Sequence, residues 1–153
     1  MKKLIILSFA LLSLNSFSQS KNLDWHVDMN KAIELSEKTN RPIMMFFTGS
    51  DWCGWCIKLV KEVFDKPEFA KWSKKVILVE LDFPKKTKLS KKISNQNREL
   101  AQLFQVGGYP TIWFVKPIID NEGKVTFEKI GRSGYVRGVN SWINESNRIL
   151  TNK

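Results

Sequence analysis

The amino-acid sequence predicts an α/β fold with a central mixed sheet of four to five strands flanked by helices. Two continuous apolar runs, residues 43–48 and 76–83, have the length and character of strands that are covered on both faces. A segment with helical spacing of apolar residues separates them, which predicts a β-α-β unit with parallel strands. A turn signal at residues 120–123 lies between two further strand patterns and predicts an antiparallel hairpin.

Local signals set the order of the elements. Asp28 is a suitable N-cap for the first helix, and Asn40 and Pro42 fit its end. In chain order we expect an edge strand at 23–27, a helix at 29–38, a core strand at 43–48, a turn at 49–52, a helix through 57–64, a short helix at 67–72, a core strand at 76–83, a helix at 98–104, strands at 111–116 and 125–130, and a helix at 139–150. The expected inward-facing residues of three helices are Ala32, Ile33 and Leu35; Leu100, Leu103 and Phe104; and Trp142, Ile143, Ile149 and Leu150.

Cys53 and Cys56 are the only two cysteines of the chain, and they enclose Gly54 and Trp55. They follow a core strand and stand at the start of a helix, which is the arrangement of a dithiol/disulfide redox site. A disulfide across so short a loop constrains little of the unfolded chain, so a purely structural role explains it poorly.

Other uses of the two cysteines can be weighed on the sequence. A structural zinc site needs four ligands, whereas the chain has two cysteines and one histidine, His26. A c-type haem site needs histidine at position 57, which is isoleucine. A static disulfide, two inert thiols, or a metal shared between chains remain as alternatives.

The position of each cysteine predicts its part in the chemistry. Free N–H groups and aligned peptide dipoles at a helix start favour a negative sulfur, so Cys53 is expected to be the attacking thiol. Cys56 lies one turn further in and is expected to be more buried and to resolve a mixed disulfide. Gly54 and Trp55 supply no positive charge that would stabilise the thiolate, which favours a reductant or an intermediate reduction potential for the cysteine pair. Lys58 and Lys61 on the same helix partly offset this argument.

The start of the chain predicts a cleaved signal peptide over residues 1–18. Lys2 and Lys3 precede an apolar run at residues 4–14, and Ser16 and Ser18 have the spacing of a cleavage site. The run is too short to span a bilayer, although an uncleaved anchor is the alternative. We therefore expect residues 19–153 to form one domain that is periplasmic or secreted.

The chain is strongly basic, with a formal net charge of +10 that falls to +8 without Lys2 and Lys3. The densest basic run lacks interleaved aromatic residues and consists of Lys85, Lys86, Lys88, Lys91 and Lys92. We interpret it as a solvated loop and expect no nucleic-acid partner and no stable membrane insertion after signal cleavage. Weak attraction to a membrane surface or an acidic partner is the alternative.

Pro110 is the second position of interest, in the segment Gly-Gly-Tyr-Pro-Thr that ends at Thr111. A proline is tolerated as the first residue of a strand, and the Tyr109–Pro110 bond is a candidate for the cis form. An ordinary trans turn proline is the alternative.

Together these residues resemble the thioredoxin-like superfamily over roughly residues 25–150. The resemblance rests on Trp-Cys-Gly-Trp-Cys at 52–56, on Tyr-Pro-Thr at 109–111, and on the strings at 41–47 and 63–69. The longer strings are similar to secreted bacterial members, including the C-terminal domain of the periplasmic reductase DsbD. The resemblance implies a thioredoxin-like fold in which Tyr109 and Pro110 lie beside the active disulfide and contact substrate. Trp52 and Trp55 are further candidates for substrate binding.

One position departs from the family pattern. Thioredoxin carries a buried acid near the end of the strand before the cysteines, where this chain has Phe46 or Phe47. Glu80 on the neighbouring strand is a possible substitute, but an outward-facing strand carboxylate is the favoured interpretation.

We therefore predict a secreted or periplasmic thiol–disulfide oxidoreductase that reduces or exchanges disulfides in exported proteins, with the reductase direction favoured. It is expected to need no cofactor or metal, to take electrons from an upstream dithiol protein, and to be a monomer. Two alternatives stay open. One is a non-catalytic, chaperone-like binding module for exported proteins that uses the exposed aromatic residues. The other is copper handling by the two cysteines, for which the sequence lacks the usual additional ligands.

Overall fold

A computed structural model describes residues 23–151 and confirms the predicted α/β class, with five strands in one mixed sheet and helices on both faces. The elements in chain order are β1 (Trp25–His26), α1 (Met29–Thr39), β2 (Ile43–Thr48), α2 (Gly54–Leu59) continuing into a π-helical turn (Val60–Phe64), α3 (Pro67–Trp72) ending in a 3-10 turn (Ser73–Lys75), β3 (Ile77–Asp82), α4 (Lys91–Leu103), β4 (Thr111–Ile119), β5 (Val125–Ser133) and α5 (Val139–Thr151). The predicted signal peptide, residues 1–18, lies outside the described residues.

The sheet has the order β1-β3-β2-β4-β5, which places β2 at its centre. β3 runs parallel to both β1 and β2, while β4 is antiparallel to β2 and to β5. Every residue of β2 is buried, because helices cover both faces of the sheet. The predicted parallel unit and the predicted hairpin are both confirmed.

Side chains of β2 alternate between two hydrophobic cores, as the period of a strand requires. Phe46 belongs to the core that also contains Cys53, Cys56 and Trp142. Phe47 belongs to the opposite core, which α1 and α4 cover. The helix that carries the cysteines therefore rests on a continuous aromatic layer.

The ends of α1 follow the sequence signals. The Asp28 carboxylate accepts a hydrogen bond from the Asn30 N–H at 3.0 Å, as an N-cap does. Asn40 ends the helix in the left-handed conformation, with φ of 52°. Asparagine tolerates this conformation better than most residues, so both predictions for this helix are confirmed.

The prediction for α4 was wrong in its start and in one buried residue. The helix begins at Lys91 rather than at residue 98, because the Ser90 hydroxyl caps it by accepting the Ile93 N–H at 3.3 Å. Lys91 and Lys92, which were expected in the basic loop, therefore lie in the helix. Leu100 and Phe104 share the inward face, whereas Leu103 lies beside that face and is 53% exposed.

The hairpin strands are longer than predicted and run three residues further, to Ile119 and Ser133. Pro117 lies within β4, opposite Phe127 of β5. Beyond Val115, β4 pairs with β5 alone, so a residue without an N–H is compatible with this position. Among residues 23–151, no helix has the length and apolar character needed to cross a membrane.

Candidate active site

Cys53 and Cys56 form a disulfide at the start of α2, with their Cα atoms 5.2 Å apart. Cys53 is the N-cap of the helix, and its Sγ accepts a hydrogen bond from the Cys56 N–H at 3.2 Å. Cys53 is 7% exposed and Cys56 only 1%, so Cys56 is the more buried, as predicted. The sulfur that is closer to solvent is therefore also the one at the helix terminus.

The turn before Cys53 holds the sulfur in place. The Cys53 N–H donates to the Gly49 carbonyl at 2.8 Å. A Cβ at position 49 would lie 2.4 Å from the Trp52 ring, so only glycine allows the indole to fold back over the turn. The Trp52 Nε1–H then donates to the Phe83 carbonyl at 2.7 Å.

The loop after β3 is bound to this turn by two carboxylates. Asp51 accepts backbone N–H groups of Lys85 at 2.9 Å, Lys86 at 2.7 Å and Thr87 at 3.3 Å. The bond from the Lys85 N–H is the main cause that lowers the pKa of Asp51. Asp82 accepts both the N–H and the hydroxyl of Ser50. The lysine-rich loop is exposed as expected, yet it borders the disulfide, which the sequence analysis missed.

Pro110 directly precedes β4. The Tyr109–Pro110 bond is cis, which confirms that prediction. The Tyr109 ring packs edge-on against Trp52 with centroids 5.8 Å apart and lies 5.3 Å from Phe83. Burial raises the pKa of Tyr109. The structure thus brings two of the predicted site residues, Trp52 and Tyr109, into direct contact.

Trp55 contacts a third group of residues that the sequence analysis did not identify. Its ring is 57% exposed and lies 4.9 Å from the Tyr135 ring. The Tyr135 hydroxyl donates to a Glu62 carboxylate oxygen at 2.6 Å, and this bond is the main cause that raises the pKa of Tyr135. The Lys58 ammonium stands over both rings, 5.1 Å and 5.4 Å from their centroids.

Glu80 lies on the same side of the sheet as Cys56, whereas the favoured interpretation of the sequence was an outward-facing strand carboxylate. It pairs in register with Phe46 and lines a cavity of about 320 Å³ together with Cys56, Lys61 and Asp65. Burial, and then the nearby Asp82, raise the pKa of Glu80. Alternation along β3 puts the Glu80 side chain on the α2 side of the sheet. Glu80 thus supplies a carboxyl group next to Phe46, which stands where thioredoxin has a buried acid.

Chemically, the described residues offer a redox pair and, in the cavity beside Cys56, the carboxyl groups of Glu80 and Asp65. Among residues 23–151, no three His, Cys, Asp or Glu side chains are grouped in a way that would hold a metal ion. The arrangement combines the less buried sulfur at a helix start, a second and more buried sulfur one turn further in, and an aromatic rim formed by Trp52, Trp55 and Tyr109. These are the components of a site that exchanges its disulfide with another molecule.

Comparisons with known proteins agree with this geometry. The family model of a thioredoxin-like domain matches residues 29–137. Disulfide bond reductase DsbH of Chlamydia pneumoniae is 38% identical over 125 residues, which is 78% of this chain and 72% of that protein. A solved structure of a DsbH oxidoreductase has a TM-score of 0.75 at 31% identity and covers 95% of this chain and 96% of its own. A thioredoxin from Thermus thermophilus has a TM-score of 0.61 at 20% identity over 84% and 88% of the two chains, which shows a shared fold.

Proposed function

This chain belongs to the thioredoxin-like family and is a thiol–disulfide oxidoreductase, and we propose that it reduces disulfides of exported proteins outside the cytoplasm. The single observation that carries the proposal is the pair Cys53–Cys56, closed as a disulfide with Cys53 at the helix start and closer to solvent. The reductase direction has support from DsbH, whose name is disulfide bond reductase.

In the proposed reaction, the Cys53 thiolate attacks one sulfur of a substrate disulfide. The substrate S–S bond breaks, a Cys53–substrate disulfide forms, and the released substrate thiolate takes a proton. Cys56 then attacks the Cys53 Sγ, which closes the Cys53–Cys56 bond and releases the second substrate thiol. Two electrons pass to the substrate, and an upstream dithiol protein restores the reduced pair by the reverse exchange.

We propose that Glu80 accepts the proton of the Cys56 thiol. The Cys56 thiol must lose its proton before it attacks, and Glu80 lines the same cavity. A carboxylate in a partly buried place with a raised pKa is a better proton acceptor than an exposed one. Glu80→Gln is therefore expected to slow the release of the mixed disulfide, while alkylation of Cys53 in the reduced protein stays unchanged.

The aromatic rim is proposed to receive the substrate. The rim consists of Trp52 and Trp55, which are next to the cysteines in the sequence and are respectively 39% and 57% exposed, and of the Tyr109–Pro110 segment, whose Tyr109 ring packs against Trp52. Exposed aromatic rings next to a reactive sulfur offer contact area to many different polypeptides. A substrate segment would lie across this rim with its cysteine over Cys53.

The location outside the cytoplasm rests on the start of the sequence. A basic start, a short apolar run and small residues at 16 and 18 are typical of a signal peptide over residues 1–18, with residues 19–153 as the mature domain. We propose that the mature protein acts as a monomer in the periplasm or after secretion. Labelling of the mature N-terminus in an exported sample would locate the cleavage site.

Trapping of mixed disulfides tests the assignment of the two cysteines. Cys56→Ser should accumulate mixed disulfides with exported proteins, because Cys53 still attacks and nothing resolves the product. Cys53→Ser is the matched control and should trap none. Equal trapping by both variants would contradict the assignment.

The reduction potential of the Cys53–Cys56 couple tests the direction of electron flow. A value near that of thioredoxin, about −270 mV, is the result expected for a reductase. A value near about −120 mV would instead identify an oxidant of other proteins.

A further inference from the structure

Two lysines each stand over the ring of a tryptophan that is next to the cysteine pair in the sequence. The Lys85 Nζ lies 4.1 Å from the Trp52 ring centroid, and the Lys58 Nζ lies 5.1 Å from that of Trp55. These cation–π contacts hold the aliphatic stems against the rings, while the charged ends stay at the surface. Each tryptophan next to the cysteine pair in the sequence therefore has a positive charge over its ring.

Three carboxylates near this rim accept hydrogen bonds from within the protein. Asp51 accepts three backbone N–H groups, and Asp82 accepts two bonds from Ser50. Glu62 accepts the Tyr135 hydroxyl at 2.6 Å and stands 3.9 Å from Lys58. Within residues 23–151, Lys85 makes no ion pair. These three carboxylates keep their negative charge but are only partly exposed, whereas Lys58 and Lys85 are exposed, so the charge that a partner meets over the two rings is positive.

We propose that this rim selects disulfide-bearing polypeptides whose reacting cysteine is flanked by aspartate or glutamate. This inference rests on the proposed function and names its substrate class. An extended segment that crosses the disulfide would pass between Lys85 beside Trp52 and Lys58 beside Trp55. Acidic side chains before and after its cysteine would then meet a cation at each edge. The formal net charge, which is +10 for the full chain and +8 without Lys2 and Lys3, adds attraction at long range.

The expected size of the effect is modest, because both lysines are exposed. Rim charges act mainly on the association rate and depend on salt. Each lysine should therefore raise kcat/KM for an acidic substrate by up to about fivefold at low ionic strength, the upper end for an exposed ion pair. The preference should shrink at high salt.

The test uses three peptides that each carry one cysteine joined by a disulfide to a fluorescent thiol. They are identical except that the residues flanking the cysteine are all Glu, all Gln or all Lys. The full protein, regenerated by dithiothreitol, is assayed for kcat/KM at 50 mM and 500 mM salt. Lys58→Gln and Lys85→Gln are the test variants. Lys124→Gln is the matched control, since the hairpin tip lies about 25 Å along β4 from Pro110.

The expected order of kcat/KM is Glu above Gln above Lys at low salt, with the order compressed at high salt. Lys58→Gln and Lys85→Gln should each lower the ratio of kcat/KM for the Glu peptide to kcat/KM for the Gln peptide by up to about fivefold, and this ratio cancels any effect on the reactivity of the cysteines themselves. Equal values for the Glu and Gln peptides in the unchanged protein would overturn the inference, as would a preference for the Glu peptide that is undiminished in both test variants. Failure to reduce any of the peptides would overturn the proposed function instead.

Discussion

Two buried tryptophans of the core beneath the cysteines differ in a single hydrogen bond, and this difference predicts their tolerance to substitution. Trp72 and Trp142 are 4% and 0% exposed, and their rings lie 5.2 Å apart. The Trp72 Nε1–H donates to the Asn147 side chain at 2.9 Å. The Trp142 Nε1–H has no partner among the described residues.

Replacement of each tryptophan by phenylalanine removes a similar volume, so the cavity cost largely cancels in the comparison. Trp72→Phe also loses a hydrogen bond with a net contribution of about 0.5–1.5 kcal/mol. Trp142→Phe removes a buried N–H that costs about 1–3 kcal/mol when unpaired. The two contributions add in the comparison, so Trp72→Phe should lower the free energy of unfolding by about 1.5–4.5 kcal/mol more than Trp142→Phe.

Urea unfolding of the oxidised proteins, followed by circular dichroism, measures this difference. The Trp72→Phe midpoint should lie roughly 1 M below the Trp142→Phe midpoint at ordinary m-values. Trp55→Phe, at an exposed position, is the control and should leave the midpoint near that of the unchanged protein. Equal midpoints for the two core variants, or the reverse order, would refute the reasoning.

Two further predictions concern carboxylates near the site. Because the folded-state pKa of Glu80 is raised, its contribution to stability is present below the unfolded pKa of about 4.3 and is lost as pH rises through the folded value. Glu80→Gln should therefore be more stable than the unchanged protein at pH 8 and should lose that advantage at pH 3.5, as urea midpoints at both values would show. Asp51→Ala removes the acceptor for three N–H groups, so hydrogen exchange at residues 85–87 should accelerate and disulfide reduction should slow. Asp51→Asn should retain part of the protection from hydrogen exchange and part of the rate of disulfide reduction. Unchanged hydrogen exchange at residues 85–87 in Asp51→Ala would contradict the view that Asp51 holds this loop.

The parts of the fold that sequence reasoning recovered are those with strong local signals. β2 is a continuous apolar run, α1 has a capping residue at each end, and the cysteines have a distinctive spacing. The start of α4 was missed because its first two turns, residues 91–97, are polar except for Ile93, and their buried position is taken by Asn97, so the apolar period becomes visible only near Leu100. Leu103 was misplaced for the same reason, since a short window does not fix the phase of a helix.

The site residues that were missed depend on contacts between distant segments. Tyr135 meets Trp55 across eighty positions of sequence, and no local pattern marks either residue as a partner of the other. The three hydrogen bonds that Asp51 accepts come from backbone N–H groups, which every residue except proline has. They therefore leave no recognisable pattern in the sequence of the loop. The direction of Glu80 follows from strand alternation only once it is known which face of the sheet α2 covers.

The central claim is that Cys53 is the reactive sulfur and Cys56 the protected one. Limited alkylation of the fully reduced protein at pH 7, followed by mass spectrometry of the peptides, tests it most directly. The exposure of the two residues and the helix start at Cys53 predict that Cys53 is modified first, while Cys56 stays largely unmodified. Modification of Cys56 at an equal or higher rate would contradict the account.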